Sequence, residues 1–349
     1  MSLYWPDHPF RSERRRERRR LARWRGAEKA ATQTLLLSHG NCLDGVTAAI
    51  VTTRALGKEG LGIAYAQPNQ VKEFLAWLAA QGSGSGRTLM VADLSLQKPD
   101  LDAIVDAIGT LRRSGWSIQW RDHHHKQWEG LALDRLREHL VVLTVNDDAT
   151  ESGATLQQQA IAANDPFAKR LAETVRDRDL WWNKTPDSET LEFALADLGP
   201  KAFAAAYTGA DAESPAVLPA LASAAQRERD RQASIRDRIL AGTRRYRNGE
   251  VAVVYGALPK NTGLHELLER GARIAINVRP NGKVSLRSRK DTAICHLVAQ
   301  KFDGGGHPNA SGADLGLKGL GYWWYVVRRG HVPRVEAMAQ TAVAELEKA

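Results

Sequence analysis

Residues 117–125 read SIQWRDHHH, a short half-apolar run closed by an aspartate and three consecutive histidines. The run predicts a strand over 117–120 with ionisable side chains clustered at its carboxyl end. Asp122, His123 and His124 are hard to explain as packing, because each buried imidazole needs a hydrogen-bond partner of its own. Upstream the same arrangement recurs. The run TLLL (34–37) is followed by His39-Gly40-Asn41-Cys42-Leu43-Asp44-Gly45, and TLMVA (88–92) is followed by Asp93. Helical patterns over 45–56, 70–80 and 99–113 lie between these runs, and further strands are predicted over 61–66 and 140–145. Strand–helix alternation of this kind implies an α/β fold with a mainly parallel sheet covered by helices. In such open sheets ligands bind beyond the carboxyl ends of the strands, so the three clusters should meet although they are far apart in sequence.

Downstream, helices are predicted over 151–163 and 166–180, the second carrying a fourth cluster, Asp177-Arg178-Asp179. Asp147, Asp148 and Thr150 read as helix-capping residues. Residues 212–240 are rich in Ala, Arg, Gln, Glu and Asp without a strand signal, and read as a long connecting helix. Beyond it lie strand patterns over 251–255, 273–279 and 283–287, with Asn281-Gly282 as a hairpin turn between the last two. A helix over 294–301 then leads into Gly304-Gly305-Gly306-His307. The expected organisation is a basic tail (1–30), a metal-bearing domain (31–205), a connecting helix (206–245) and a smaller α/β domain (246–349). The active-site cleft is expected between the two domains.

The 349 residues suit about two domains, and 43% hydrophobic with 26% charged residues excludes a disordered or collagen-like chain. Apolar runs stay short of the ~18 residues of a membrane span, so no membrane partner is expected. The N-terminal segment is arginine-rich and has no apolar stretch, so no secretory signal is expected. Only Cys42 and Cys295 are present, which gives no disulfide framework and implies a reducing cytoplasm. Residues 11–25 hold nine arginines and two glutamates, and so carry most of the net +9. The basic character therefore reads as a tail property, a tether for nucleic acid or a solvated charged helix.

Carboxylates and imidazoles without a Cys-x-x-Cys pair suit a hard-to-borderline divalent cation such as Mn²⁺ better than structural zinc. With these residues in view, the sequence resembles the DHH phosphoesterase superfamily. The matching stretches are HGNCLDGVTAA (39–49), VADLS (91–95), RDHHH (121–125) and DRDLW (177–181). GGGHPNASG (304–312) resembles the signature of the DHH-associated C-terminal domain, found in the branch that acts on oligonucleotides.

The resemblance implies a two-Mn²⁺ centre, with Mg²⁺ as the alternative ion. Its ligands would be His39, Asp44, Asp93, His123 and Asp177, with Asp93 bridging. Asp177 is taken over Asp179 because it fills the first acidic slot of its motif. Asp122 would orient a histidine and His124 would face the substrate phosphate. Cys42 stands where many members carry Asp, and a soft thiolate is a poor ligand for Mn²⁺, so one site is expected to be weakened.

In the C-terminal domain, Gly304, Gly305 and Gly306 lack the Cβ atoms that would keep a backbone away from a phosphate. His307 adds a donor, and Arg287 can clamp a terminal phosphate. The implied function is a metal-dependent phosphodiesterase of exonuclease or oligoribonuclease type. It would cleave short single-stranded RNA or DNA, or dinucleotides, to mononucleotides through two-metal activation of water. The rivals are an inorganic pyrophosphatase or nucleotide phosphatase of the same superfamily, and a nucleic-acid-binding module with a degraded metal site. Trp181-Trp182 and Trp323-Trp324-Tyr325 read as packing residues, with base stacking as the alternative.

Overall fold

The computed structural model describes residues 9–40, 42–82, 84–146, 150–207, 209–259, 262–316 and 333–348. Asp147, Asp148, Trp323, Trp324 and Tyr325 lie outside the described residues. The chain divides into two compact units, Met1–Glu228 and Arg229–Ala349.

In the first unit, apolar runs become strands where alternate side chains find a helix on each face. Strands β1 (Thr34–His39), β2 (Leu61–Ala66), β3 (Thr88–Ala92), β4 (Ser117–Asp122) and β5 (Val142–Val145) form one all-parallel sheet in the order β2-β1-β3-β4-β5. Leu35, Leu37, Val91 and Trp120 pack with side chains of α3 (Val71–Ala79) and α4 (Leu101–Arg113), while Leu36, Met90 and Ala92 pack on α2 (Leu43–Leu56). Leu43, Val46 and Ile50 of α2 form a further apolar layer with α8 (Pro166–Asp179) and α9 (Pro186–Ala206). The short helices α5 (His125–Trp128) and α6 (Leu133–Arg137) lie between β4 and β5, and α7 (Gly153–Ile161) precedes α8. Helix α9 has no counterpart among the elements expected from the sequence. It breaks at Gly199-Pro200, where Gly199 takes φ 72°.

The arginine-rich segment is not a free tail. Residues Pro9–Ala30 form helix α1, and Trp24 is 1% exposed. Its indole donates to the Tyr65 carbonyl at 3.0 Å and stands edge-on to Phe74 at 5.1 Å. Arg20 pairs with Glu73, and Arg87 reaches Glu28 at 2.8 Å. Leu21, Trp24, Ala27 and Ala31 follow helical spacing and join the core of this unit, whereas Arg15, Arg16, Arg18 and Arg19 stay exposed. The expected division at residue 30 therefore separates α1 from the core that it joins. Trp24→Ala should destabilise the protein by about 3–5 kcal/mol in urea unfolding, the cost of emptying a buried indole site. A free tail would show no change.

The second unit holds a mixed sheet. Strands β6 (Arg244–Tyr246), β7 (Val251–Tyr255), β8 (Ile274–Val278), β9 (Lys283–Ser288), β10 (Gly305–His307) and β11 (Ala310–Asp314) take the order β10-β11-β9-β8-β7-β6. Only β7 and β8 pair in parallel. One face packs on α12 (Cys295–Gln300) and α13 (Pro333–Lys348), the other on α11 (Thr262–Glu269). At the β8–β9 turn Gly282 takes φ 82°, and the Asn281 side chain accepts from the Lys283 amide. The unit boundary falls inside α10 (Pro219–Ala241), which is shorter than the connector expected over 212–240.

Candidate metal centre

The strand order reverses between β1 and β3, and this switch point opens a crevice at the carboxyl ends of the strands. His39 ends β1, Cys42 and Asp44 begin α2, Asp93 follows β3, and Asp122 ends β4 before His123 and His124. Parallel pairing brings all of them to one edge of the sheet.

Asp93 is the centre of the arrangement. It is 1% exposed and takes φ 54°, a left-handed conformation uncommon for a residue with a Cβ. One oxygen, Oδ2, lies 2.9 Å from Cys42 Sγ and 3.6 Å from His39 Nδ1; the other, Oδ1, lies 3.3 Å from His123 Nε2. Burial opposes its charge, but the His123 and His39 imidazoles hold its carboxyl well below the usual carboxylate range.

Asp44, fully buried, caps the start of α7, where Oδ2 accepts from Gly153 N at 2.6 Å and Oδ1 from Ala154 N at 2.9 Å. Burial, with Asp93 adding to it, pushes the Asp44 carboxyl up. Gly153 is required here. A Cβ at this position would stand 2.6 Å from Asp93 Cβ and 2.8 Å from Asp44 Oδ2.

Cys42 faces the cluster. Its sulfur accepts from Gly45 N at 3.2 Å, capping α2, and its S–H donates to Asp93. Burial and the carboxylates of Asp93 and Asp44 push the thiol well up, so it stays protonated and can make this contact. Replacing it with Asp would set two carboxylates against each other. Cys42→Asp should lower the melting temperature of the ion-free protein and raise its Mn²⁺ affinity at least tenfold, about 1.4 kcal/mol. Calorimetry on both proteins checks this, and an unchanged Mn²⁺ affinity would mean that the thiol position is not a ligand position.

The fourth cluster departs from expectation. Asp177 does not join the centre. Its carboxylate accepts from Lys184 N at 2.8 Å, Thr185 N at 3.2 Å and Ser188 Oγ at 2.9 Å, tying down the loop after α8. Asp179 is the residue brought in, with Oδ2 3.4 Å from His123 Nε2. Residues two apart on a helix point to nearly opposite sides. Asp179 continues the buried row Phe167, Leu171, Val175 that packs on α2, and so reaches the crevice. Asp179→Asn should therefore cost at least a hundredfold in Mn²⁺ affinity or turnover. Asp177→Asn should mainly destabilise, by about 1–3 kcal/mol for donors left unpaired. The reverse pattern in paired calorimetry and thermal melts would restore Asp177 as the ligand.

Among the described residues three donor groups result: His39–Cys42–Asp93, Asp93–His123–His124 and Asp44–His123–Asp179, each with its ligand atoms within 4.8 Å of one another. Asp93 and His123 are shared. Nε2 of His123 is buried without a hydrogen-bond partner among the described residues, although three carboxylates surround it at 3.3–3.7 Å. Burial works against its charge, yet Asp93, Asp44 and Asp179 push its pKa up to about 10. A proton thus stands where a cation would satisfy the same oxygens, and carboxylate and imidazole donors suit Mn²⁺ or Mg²⁺. His124, 31% exposed at its side chain, is held by Asp122, whose Oδ1 lies 2.8 Å from its Nδ1. The other Asp122 oxygen accepts from the Trp128 indole at 2.5 Å. No sequence motif signals Trp128, or Gln67, whose Oε1 lies 3.3 Å from His39 Nε2. Gln67 also lines a cavity of about 1280 Å³ whose walls carry Arg20, Arg23, Arg54, Lys58 and Lys201 and no acidic side chain among the described residues.

In the second unit, Arg287 pairs with Ala310 and His307 with Ala310, placing Arg287 and His307 in one row across β9, β11 and β10. Directly paired residues share a sheet face. Gly304 and Gly306 are needed by the hairpin itself. A Cβ would meet Gly312 O at 2.2 Å from Gly304 and Ala310 O at 2.7 Å from Gly306, while Gly305 faces open space.

No family model and no curated protein matches the sequence. Among solved structures the chain is similar to RecJ in complex with Mn²⁺ from Thermus thermophilus, with TM-score 0.50 and 15% identity over 95% of this chain and 55% of that one. The chain thus spans about half the length of that protein. An exopolyphosphatase-related protein from Bacteroides fragilis matches with TM-score 0.39 and 12% identity over 92% and 96% of the two chains. An uncharacterized protein from Helicobacter pylori G27 matches with TM-score 0.35 and 18% identity over 88% and 99%. The likeness to RecJ shows the fold, a parallel-sheet α/β domain followed by a smaller mixed-sheet domain, as the DHH resemblance implies. No helix among the described residues is long and apolar enough to cross a membrane.

Proposed function

We propose that this chain is a divalent-metal-dependent phosphodiesterase of the DHH type, which hydrolyses short single-stranded oligonucleotides to mononucleotides in the cytoplasm. The observation that carries this reading is the sharing of one buried carboxylate, Asp93, between two donor groups. His39, Cys42 and Asp93 would hold one ion; Asp93 and His123 would hold the other, with Asp44 and Asp179, which also face His123 Nε2, completing its donors. Ions bound there supply Lewis acidity and offset charge on a phosphoryl group. The side chains do the rest. Asp122 and Trp128 fix His124 so that its free edge can donate to a phosphate oxygen. Arg287 and His307 would hold a substrate phosphate through charge-assisted bonds. The cationic walls beside Gln67 and the exposed arginines of α1 support a polyanionic substrate.

The test is product analysis by mass spectrometry with 5′-labelled and 3′-labelled RNA and DNA, from dinucleotides upward, with Mn²⁺ or Mg²⁺ added to the full chain. Inorganic pyrophosphate serves as the competing substrate. Mononucleotide release that stops on chelation is expected. Pyrophosphate cleavage alone, or nucleic-acid binding without turnover, would overturn the proposal.

A further inference from the structure

Immediately after Asp179 the chain makes a tight, well-anchored loop. Trp181 and Asn183 both take left-handed backbone conformations, with φ 58° and 49°. The amides of Trp182 and Asn183 donate to the Asp177 carbonyl at 3.0 and 3.1 Å, and the Asp177 carboxylate grips the far side of the loop through Lys184, Thr185 and Ser188. This anchoring holds two large aromatic rings out in solvent. Trp181 is 74% exposed and Trp182 41%. Tryptophan is highly buried on average, yet among the described residues neither ring joins a hydrophobic core. Cations flank both rings. Arg178 stands 5.6 Å from the Trp181 ring, while Arg176 and Lys184 stand 5.3 and 4.6 Å from that of Trp182. The two arginines are also paired, with Glu192 and Glu151. Lys184 has no acidic partner among the described residues and keeps its charge available. The Cα atoms of Asp179 and Trp181 can be at most about 7.6 Å apart, so the rings are carried on the same short segment as a residue of the metal centre.

We infer that Trp181 and Trp182, with Arg176, Arg178 and Lys184, form a nucleobase-stacking platform beside the metal centre, so that the phosphodiester presented there is one that carries bases. Stacking on exposed indoles tolerates any base, because every base has a π-face, and neighbouring cations take up the strand's phosphates. An inorganic polyphosphate has nothing to place on the rings. The inference deepens the phosphodiesterase reading and rests on it for the reaction, but base recognition is separately measurable. It also gives Asp177 a role as the latch that fixes the platform.

The experiment compares a single-stranded tetranucleotide with an abasic strand of equal length and charge, both end-labelled. Binding to the full chain is followed by anisotropy, and turnover by product analysis with Mn²⁺. Wild type should bind the base-bearing strand about ten- to a hundredfold more tightly. The Trp181→Ala/Trp182→Ala variant should lose that preference while keeping its affinity for the abasic strand. The Trp181→Phe/Trp182→Phe variant should retain most of it. Equal affinity of wild type for the two strands, or binding of neither, would overturn the platform, as would a preference that survives the double alanine change. An equal loss for both strands in that variant would also overturn it, by showing a merely structural role. Hydrolysis without base preference removes the platform and leaves the phosphodiesterase reading. Base preference without hydrolysis does the opposite.

Discussion

Asp93→Asn should abolish hydrolysis while leaving the protein folded. The amide matches the carboxylate in shape, and Asn is one of the residues that tolerates a left-handed backbone, so φ 54° at this position adds little further strain. What disappears is the charge shared between the two donor groups. An amide offers one neutral oxygen in place of two anionic ones, and its NH₂ would turn toward either the Cys42 and His39 side or the His123 side. Neither orientation serves both groups. The expected loss is at least a thousandfold in turnover, about 4 kcal/mol of barrier, together with a fall in Mn²⁺ stoichiometry measured by calorimetry. Circular dichroism and thermal melting should show an intact fold. Retention of more than a tenth of wild-type turnover, or of two bound ions, would remove Asp93 from its bridging place.

Much of this centre is legible in the sequence because parallel strands impose convergence. Short apolar runs ending in His39, Asp93 and Asp122 fix both the strands and their carboxyl ends, and the sheet order then decides that these residues meet. Choices among neighbouring positions are less legible. Asp177 and Asp179 sit two apart at a helix end, and motif order favours Asp177, whose carboxylate turns to the following loop while that of Asp179 faces the crevice. The apolar row Phe167, Leu171, Val175 points to Asp179 by i+4 spacing. Arginine content likewise masks the row Leu21, Trp24, Ala27, Ala31, which docks α1. Trp181-Trp182 read as packing because tryptophan usually is. Their exposure follows from loop anchoring by Asp177, a contact that no local pattern announces.

Gly153 illustrates the least legible kind of requirement, and it carries the second large expected effect. The stretch ESGATL reads locally as a helix start, and Ser152 does cap α7, with Thr155 completing the reciprocal pair. Nothing local demands glycine at the next position. The demand comes from Asp44 and Asp93, far away in sequence, whose atoms approach within 2.8 and 2.6 Å of where a Cβ would stand. In Gly153→Ala the first turn of α7 must retreat, because its neighbours are a buried carboxylate and a backbone-bound Cβ rather than the end of a flexible side chain. Retreat stretches the 2.6 and 2.9 Å bonds from Gly153 N and Ala154 N to Asp44, leaving a buried carboxylate short of donors. Overpacking of this kind costs about 1–3 kcal/mol, and the lost bonds to a charged group about 1.5–3 kcal/mol more. Urea unfolding should register a combined loss in the range of ~2–5 kcal/mol, since strain relief makes the two less than additive. Mn²⁺ affinity should fall at least a hundredfold, because Asp44 and Asp93 are displaced together. Gly305→Ala is the matched control. Its Cβ meets nothing within 4 Å, so stability should stay within about 0.5 kcal/mol of wild type. If Gly153→Ala is equally harmless, α7 does not press on the two aspartates and their placement must come from the sheet alone.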